Sequence, residues 1–190
     1  KKESVDIQEI KDIGILRNEA LACTLCDLSK IRREVLFGGG NPNAEIMFIS
    51  DSINIAQESS NNLFAGRSGN LLVNMIERVL LIPVSKIYFT NLIKCRPHNG
   101  QITSTEAHTC LFYLKQEIEL VKPRIIVTLG IDAYNYLTGE KAKLEDVRGQ
   151  FQKKDRYILI PTFHLTHLLR ESSAKKLAFE DMKLIKNMMI

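Results

Sequence analysis

Apolar residues follow two kinds of pattern that alternate along the chain. Short continuous apolar runs are typical of strands buried on both faces of a sheet. Longer segments, in which apolar residues return every three or four positions, are typical of helices with one buried side. The runs predict strands at residues 45–50, 86–92, 124–129 and 157–160. The spaced segments predict helices over residues 1–22, 71–80, 131–138 and 174–190, and one that begins after Thr103, where Thr103 and Glu106 form a capping box.

Strands that alternate with helices favour a parallel sheet with helices on both faces. We therefore expect an α/β fold with a short, mostly parallel sheet of four strands. The 190 residues suit a single domain over residues 1–190, since neither an internal repeat nor a linker interrupts the pattern.

The first strand ends in a carboxylate between two small polar residues, at Ser50-Asp51-Ser52. In open α/β sheets, ligand sites lie at the carboxyl ends of the parallel strands. Asp51 is therefore a candidate for the chemistry of the protein, although it could instead only form a turn or cap a helix. The polar loop that follows extends to residues 64–69, and loops of this length in compact domains are usually functional or disordered.

Composition narrows the classes of function. Apolar residues make up 45% of the chain and charged residues 25%, which is ordinary for a globular protein, and the net charge of +4 permits a polyanionic partner. No apolar run is long enough to cross a membrane and no signal peptide is visible, so we expect a cytoplasmic protein without a membrane partner. No strand leads into a Gly-rich dinucleotide- or phosphate-binding turn, so no nucleotide cofactor is expected.

The four cysteines are spaced as a C-x₂-C pair and a C-x₁₄-C pair: Cys23, Cys26, Cys95 and Cys110. In a reducing compartment, such thiols are metal ligands or buried side chains more often than disulfides. If both pairs meet in the fold, they form a four-thiolate site for zinc or for an iron–sulfur cluster. Alternatively, Cys110 is a small buried side chain on the apolar face of its helix.

Three further segments, together with the cysteine spacing, resemble the type-four, iron–sulfur branch of the uracil-DNA glycosylase superfamily. They read FAGRSG at residues 64–69, TNLIKCRP at 90–97 and HLTHLLR at 164–170. The resemblance runs from about Ala22 to the C-terminus. It implies a three-layer α/β/α fold and a [4Fe–4S] cluster held by the four cysteines, with zinc as the alternative.

The resemblance also implies a DNA-repair hydrolase that removes uracil, or a related deaminated base, from single- or double-stranded DNA. A base in a duplex must be swung out before its glycosidic bond is accessible. By resemblance, Phe64 stacks on the flipped base. Asn91, whose side-chain amide can both donate and accept, binds the O4 and N3–H of uracil. His164 donates a hydrogen bond to O2 as negative charge gathers on the leaving base.

Asp51 stands where the family has the glutamate of a G-E-x-P-G motif, which here reads SDSIN at residues 50–54. A carboxylate at this place can orient the attacking water and offset positive charge on the sugar. Ser50 and Ser52, on either side of it, are expected to contact the base. Because this loop departs from the family pattern, the alternative is a DNA-binding homologue with weak or no catalysis. An iron–sulfur electron carrier is a third reading, which would leave Asn91 and His164 unexplained.

The segment after His164 is expected to contact DNA. By resemblance, Leu168, Leu169 and Arg170 enter the minor groove, where apolar side chains wedge into the stack left by the flipped base. Arg67 and Arg170 are expected to bind phosphate, as are three other cations of the family segments and loops: Lys94, Arg96 and Arg148. We expect the protein to be a monomer.

Overall fold

Six strands form one sheet in the computed structural model of the protein, which describes residues 6–189. They are Gly39–Gly40 (β1), Ile46–Ser50 (β2), Tyr88–Asn91 (β3), Ile125–Leu129 (β4), Gln152–Lys153 (β5) and Ile158–Thr162 (β6). Their order across the sheet is β1-β3-β2-β4-β6-β5. The α/β class is confirmed, but the predicted number of four strands is wrong.

The four central strands are those that the apolar runs predict, and they are parallel. The two additional strands, β1 and β5, pair antiparallel at the two edges of the sheet. Each has only two residues and neither contains an apolar run, so hydrophobic periodicity gives no sign of them. In the central strands, Ser50 pairs with Asn91 and Leu129, and Leu129 pairs with Thr162. The carboxyl ends of the four parallel strands therefore lie side by side.

The helices of the described residues are Ile13–Leu21 (α1), Ile55–Ser60 (α2), Gly66–Met75 (α3), Ser104–Val121 (α4), Ile131–Thr138 (α5), Leu144–Val147 (α6), Leu165–Arg170 (α7) and Ser173–Met188 (α8). A π-helical segment, Ile76–Leu80, continues α3. Short 3₁₀ turns occur at Ile7–Glu9, Asp27–Lys30, Val84–Lys86 and His98–Gly100. The predicted capping box is confirmed, because Thr103 and Glu106 exchange both hydrogen bonds at the start of α4.

Two predictions about helices need correction. The helix expected over residues 1–22 begins only at Ile13 among the described residues, because the side chain of Asp12 accepts the backbone N–H of Ile15 at 2.9 Å and caps α1. Residues 1–5 of that prediction lie outside the described residues. The polar loop after β2 contains α2, which begins with a capping box between Asn54 and Gln57.

Helices cover both faces of the sheet. One face packs against α3, α7 and α8, and the other packs against α4 and α5. Every residue of β2 and of β4 is buried, as expected for central strands covered on both sides. A smaller cluster packs α1 on α4. The two helical layers cover the faces of the sheet and leave accessible the loops at the carboxyl ends of the strands.

Within residues 6–189, no helix has both the length and the apolar character that are needed to cross a membrane.

Candidate active site

A cavity of about 960 Å³ opens at the carboxyl ends of the parallel strands. Ser50, Asp51 and Ser52 line it from the end of β2. Phe89 of β3 lies in its wall, and His164 enters from the loop between β6 and α7. The site therefore forms where the topology of an open α/β sheet places a ligand.

Asp51 and His164 are in direct contact although 113 residues separate them in the chain. His164 Nε2 lies 3.1 Å from Asp51 Oδ1. The other ring nitrogen, Nδ1, accepts the backbone N–H of Thr166 at 3.3 Å, which also caps α7. That acceptor role belongs to the neutral ring, in which Nε2 carries the proton and donates it to Asp51. In the imidazolium Nδ1 also carries a proton and donates it to Thr166 Oγ1, 2.6 Å away.

This pair shifts the ionisation of both groups. Burial by itself would raise the pKa of Asp51, but the hydrogen bond and charge of His164 and the Ser52 N–H lower the pKa below 3.8. Burial would lower the pKa of His164, but the hydrogen bond and charge of Asp51, with the charge of Asp132, raise it above 6.5. An imidazolium facing a carboxylate is therefore favoured.

The loop around Asp51 leaves one carboxylate oxygen free for a ligand. Asp51 Oδ1 accepts the backbone N–H of Ser52 at 2.6 Å in addition to the bond from His164. Oδ2 accepts no hydrogen bond within the part of the chain that the structure describes. Asn54, not Asp51, caps the following helix, so the alternative role of Asp51 as a helix cap is wrong.

Gly130 allows His164 to approach the end of the sheet. It follows β4 with φ of +99°, a conformation that favours glycine, and an added Cβ would lie 3.1 Å from the Cβ of His164. The pKa of Asp132, two residues later in α5, is affected by the same site. Burial first, and then the charge of Asp51, raise the pKa of Asp132. The sequence predicts a turn into a helix at this point, but it assigns neither Gly130 nor Asp132 to the site.

Asn91 is fully buried at the end of β3, and neither its Oδ1 nor its Nδ2 has a hydrogen-bond partner within residues 6–189. Its side chain lies on the same face of the sheet as Phe89, because alternate residues of a strand share a face. Its neighbour across the strands is Ser50, which lines the cavity, as does Phe89. An unsatisfied buried amide costs free energy, which indicates that the group is kept for a ligand.

Phe64 lies behind the wall of the cavity. It is half-buried, and its ring packs on Phe89 with 5.4 Å between the ring centroids. Gly69 makes this position possible, because an added Cβ at Gly69 would lie 2.0 Å from the carbonyl oxygen of Phe64. Phe89, which no sequence motif indicates, is the aromatic residue in the wall itself.

The two serines beside Asp51 differ in their contacts. Ser50 Oγ lies 3.3 Å from His164 Nε2 and 3.5 Å from Asp51 Oδ1, so it faces both members of the pair. Within residues 6–189, Ser52 forms side-chain hydrogen bonds only with Asp51, through its backbone N–H and its hydroxyl. Of the two, Ser50 is the one placed between the pair and Asn91.

Comparison with known proteins identifies the family. The family model described as the uracil DNA glycosylase superfamily matches residues 37–183. A type-4 uracil-DNA glycosylase of Sulfurisphaera tokodaii is 32% identical over 184 residues, which cover 92% of this chain and 84% of the relative. Proteins of the same name from Saccharolobus solfataricus and Thermotoga maritima are also 32% identical, over 92% and 91% of this chain and 85% and 92% of their own lengths. The chain belongs to the type-4 uracil-DNA glycosylase family. The resemblance noted in the sequence is thereby confirmed.

The segment of this uracil-DNA glycosylase homologue that follows His164 forms α7. Arg170 is exposed and lines the cavity, and Leu169 is half-buried. Leu168 is 1% exposed and packs in the core between the sheet and α8. The expectation that Leu168 contacts DNA is therefore wrong for this structure, because the amphipathic turn of α7 directs it inward. Arg67, in the first turn of α3, is exposed.

The three other cations expected to bind phosphate lie in different environments. Lys94 is 2% exposed and forms an ion pair with Glu117, so its expected phosphate contact is wrong. Arg148 donates to Asp181 at 2.9 Å and lies over the ring of Phe163, which leaves it half-buried. Arg96 lines the cavity, with Nε held by Glu58 at 2.7 Å.

The four cysteines of this glycosylase homologue converge, and none forms a disulfide. Burial raises the pKa of Cys110 to about 12, and the charges of Cys95 and Cys23 raise it as well. Burial also raises the pKa of Cys95, as do the charges of Cys26 and Cys23. Cys26, Cys95 and Cys110 pack in one cluster of the core, and Cys23 and Cys110 pack in the adjoining one. Among residues 6–189, however, no three Cys, His, Asp or Glu side chains are grouped to hold a single metal ion.

Proposed function

We propose that this protein is a uracil-DNA glycosylase, a DNA-repair hydrolase that cleaves the N-glycosidic bond of uracil in DNA after the base is flipped out. The observation that carries the proposal is the unpartnered amide of Asn91, buried beside the cavity that holds the Asp51–His164 pair. An enzyme must read the edge of the extruded base, and a buried group without a protein partner is available for that purpose.

Base recognition follows from the hydrogen-bonding capacity of Asn91. Its Nδ2–H can donate to the O4 of uracil while its Oδ1 accepts from N3–H. Phe89 offers an aromatic face in the wall of the cavity, and Phe64 supports it from behind. In this proposal Phe64 therefore acts on the base through Phe89, and Ser50 contacts the edge of the base next to Asn91.

The Asp51–His164 pair supplies the charges that bond cleavage needs. Negative charge develops on the uracil, and a donor such as His164 Nε2–H stabilises that charge where it appears. Positive charge develops on the sugar, where the carboxylate of Asp51 offsets it. The free Oδ2 of Asp51 can accept a proton from the attacking water and orient it towards the sugar. The raised pKa of His164 and the lowered pKa of Asp51 both favour the charged form of the pair.

The four cysteines would hold a [4Fe–4S] cluster. The donor set fits that group: four thiols that pack in adjoining clusters of the core, one of them buried and three half-buried, with none in a disulfide. Zinc, bound by all four sulfur atoms at one ion, is the alternative filling of the same thiols. When bound, the cluster would tie the turn at Cys23 to the segment that follows β3, which carries Asn91.

DNA binding in this proposal uses the exposed rim of the cavity. Arg170 and Arg67 would contact phosphates, and Leu169 would enter the minor groove in place of the flipped base. Arg96 would add a contact from the cavity wall, since only its Nε is engaged by Glu58 among the described residues.

The test is uracil excision from a single-stranded oligonucleotide that contains one uracil, followed by alkali to cleave the abasic site. We expect cleavage with the purified protein, and a loss of about a hundredfold or more with Asp51→Asn or with His164→Ala. Lys154→Gln, a charge change far from the cavity, is the control and should keep the wild-type rate. If stoichiometric wild-type protein binds the oligonucleotide and yields no abasic site, the protein is a DNA-binding homologue without catalysis.

A further inference from the structure

Lys94 and Glu117 form an ion pair that is almost completely removed from solvent. The side chain of Lys94 is 2% exposed and that of Glu117 is 0% exposed. Two charges buried in this way contribute little net stability, because the cost of desolvation offsets their attraction. We therefore expect the Lys94–Glu117 pair to have a role other than stabilising the fold.

All three protons of the Lys94 ammonium have partners. Nζ donates to Thr90 Oγ1 at 2.6 Å, to the backbone oxygen of Asn91 at 2.7 Å and to Glu117. The segment after β3 turns back on itself to make these contacts, so the lysine holds the residues that come three and four positions earlier. The ammonium thus fixes the backbone of Asn91 directly.

Glu117, on α4, is equally well satisfied. Its Oε1 accepts from Tyr88 OH and from Thr90 Oγ1, each at 3.0 Å, and from the backbone N–H of Gly38 at 3.2 Å. Gly38 allows this approach, since an added Cβ there would lie 2.2 Å from Oε1. A fully satisfied buried network of this kind rigidifies the structure around it.

The network lies on the opposite face of β3 from the Asn91 side chain. Tyr88 and Thr90 alternate with Phe89 and Asn91, so they face α4 while Phe89 and Asn91 face the cavity. The Asn91 side chain has no protein partner of its own within the described residues. Its position therefore depends on its backbone, which the Lys94 ammonium holds from behind.

We propose that Lys94 is a positioning residue for base recognition, with Glu117 as its counter-charge and Thr90 as the link between them. The inference rests on the proposed function, because it takes Asn91 to be the group that reads uracil. The lysine holds the Asn91 backbone so that the amide meets the base in one geometry. A shift of this backbone by a fraction of an ångström would misdirect the amide and weaken binding of the base.

The first test removes one hydroxyl from the network. Thr90→Val keeps the shape of the side chain but loses the bonds to Lys94 and Glu117. The matched control is Thr128→Val, because Thr128 is fully buried in β4, on the far side of β2 from β3, and its hydroxyl has no partner within residues 6–189. We expect Thr90→Val to raise the inhibition constant of free uracil and to lower kcat/KM by about tenfold, mainly through KM, and Thr128→Val to change neither.

A second variant removes both charges together and so avoids leaving either one buried alone. Lys94→Met with Glu117→Gln keeps the volumes and leaves Glu117's acceptor oxygen for Tyr88 and Gly38. Its control is Arg156→Met with Glu119→Gln, a surface pair in which Glu119 lies on the same helix as Glu117. Far-ultraviolet circular dichroism and melting establish that each variant is folded. We expect the inhibition constant of free uracil to rise at least tenfold in the first double variant only.

Two outcomes separate the inference from the function on which it rests. Folded Thr90→Val and Lys94→Met/Glu117→Gln proteins that bind free uracil as tightly as the wild type would overturn the role of Lys94. A wild-type protein that neither excises nor binds uracil would overturn the proposed function and this inference with it. Lower melting temperatures with unchanged uracil affinity would show that the network only stabilises the fold.

Discussion

His164 and Asp51 show how two residues set each other's chemistry. Each is partly buried, and burial alone would shift the pKa of each towards its neutral form. Their mutual hydrogen bond outweighs burial, so the pKa of the histidine is raised and the pKa of the carboxyl is lowered. The charged pair should therefore persist from below pH 3.8 to above pH 6.5, with limits set by the two shifted pKa values.

This pair predicts the pH dependence of excision. Activity that needs the imidazolium should fall as the pH rises through the raised pKa of His164, above 6.5. Asp51→Asn removes the carboxylate that raises this pKa, so the residual activity should fall at a lower pH. Profiles of kcat/KM for the wild type and for Asp51→Asn provide the measurement. Coincident descending limbs would contradict the assignment.

The same groups contribute to stability within a pH window. The folded-state pKa of His164 is raised, so its contribution is fully present below pH 6.5 and is lost as pH rises through the folded-state value. The pKa of Asp51 is lowered, so its contribution is present above pH 3.8 and is lost as pH falls through the folded-state value. Melting temperatures of the wild type and of His164→Gln should therefore differ most between these limits and converge at higher pH.

The unpartnered amide of Asn91 is expected to lower the stability of the fold while it serves recognition of the base. Its two amide atoms are buried without partners in the described part of the chain, and a buried unsatisfied group costs about 1–3 kcal/mol. Asn91→Leu has a similar size and removes that cost, so the melting temperature should rise while uracil excision is lost. Thermal unfolding and the excision assay test the two halves separately. A lower melting temperature would indicate that the amide has a partner in the folded protein.

At the scale of elements, the connection from β4 into α5 determines where His164 can lie. Gly130 and Gly139 bound α5 at its two ends, and both have positive φ, +99° and +77°. An added Cβ at Gly130 meets His164 at 3.1 Å, whereas at Gly139 it meets nothing within 4 Å. A side chain added at either position would therefore strain the backbone, but only one added at Gly130 would also contact the site.

These two glycines form a matched pair for mutation. Gly139→Ala should cost about 1 kcal/mol of unfolding free energy, because Gly139 is in the left-handed helical region. Gly130→Ala should cost more, about 1–3 kcal/mol, because its φ of +99° with ψ of 164° is a conformation that essentially only glycine adopts. Only Gly130→Ala should also displace the imidazole and reduce excision, by about tenfold or more. Urea unfolding and the excision assay compare the variants. Equal losses of activity in both would exclude a specific effect on His164.

At the scale of the whole molecule, the four cysteines lie on parts of the fold that are far apart in the chain. Cys23 and Cys26 follow α1, Cys95 follows β3 and Cys110 lies in α4, so a cluster would join parts of the fold that the chain separates widely. Burial first, and then the neighbouring thiols, raise the pKa of Cys95 and of Cys110, so these two resist ionisation unless a metal group compensates their charge.

Loss of the cluster should therefore lower the stability of the whole fold. Cys95→Ser, or oxidative removal of the iron, should abolish absorbance near 400 nm and lower the melting temperature by several degrees. Chelation of zinc alone should have no effect if iron is the metal. Iron and zinc analysis of the purified protein distinguishes the two fillings, and retention of the full melting temperature without metal would contradict a structural role.

The sequence by itself determined the features that depend on neighbouring residues. Apolar runs placed the four parallel strands, the spacing of Thr103 and Glu106 placed the start of α4, and short motifs identified the family. It missed β1 and β5, because two-residue strands have no periodicity, and it missed α2, because its capping box lies within a polar loop.

Only the tertiary structure decided how distant residues meet. It brought Asp51 to His164, left the amide of Asn91 without a partner, and placed Phe89 rather than Phe64 in the cavity wall. It also buried Leu168 and Lys94, both of which the motifs assigned to DNA. The physical reason is that exposure and charge state depend on what packs against a side chain. For Lys94 that partner is Glu117, 23 residues away on another element, and no local pattern reveals it.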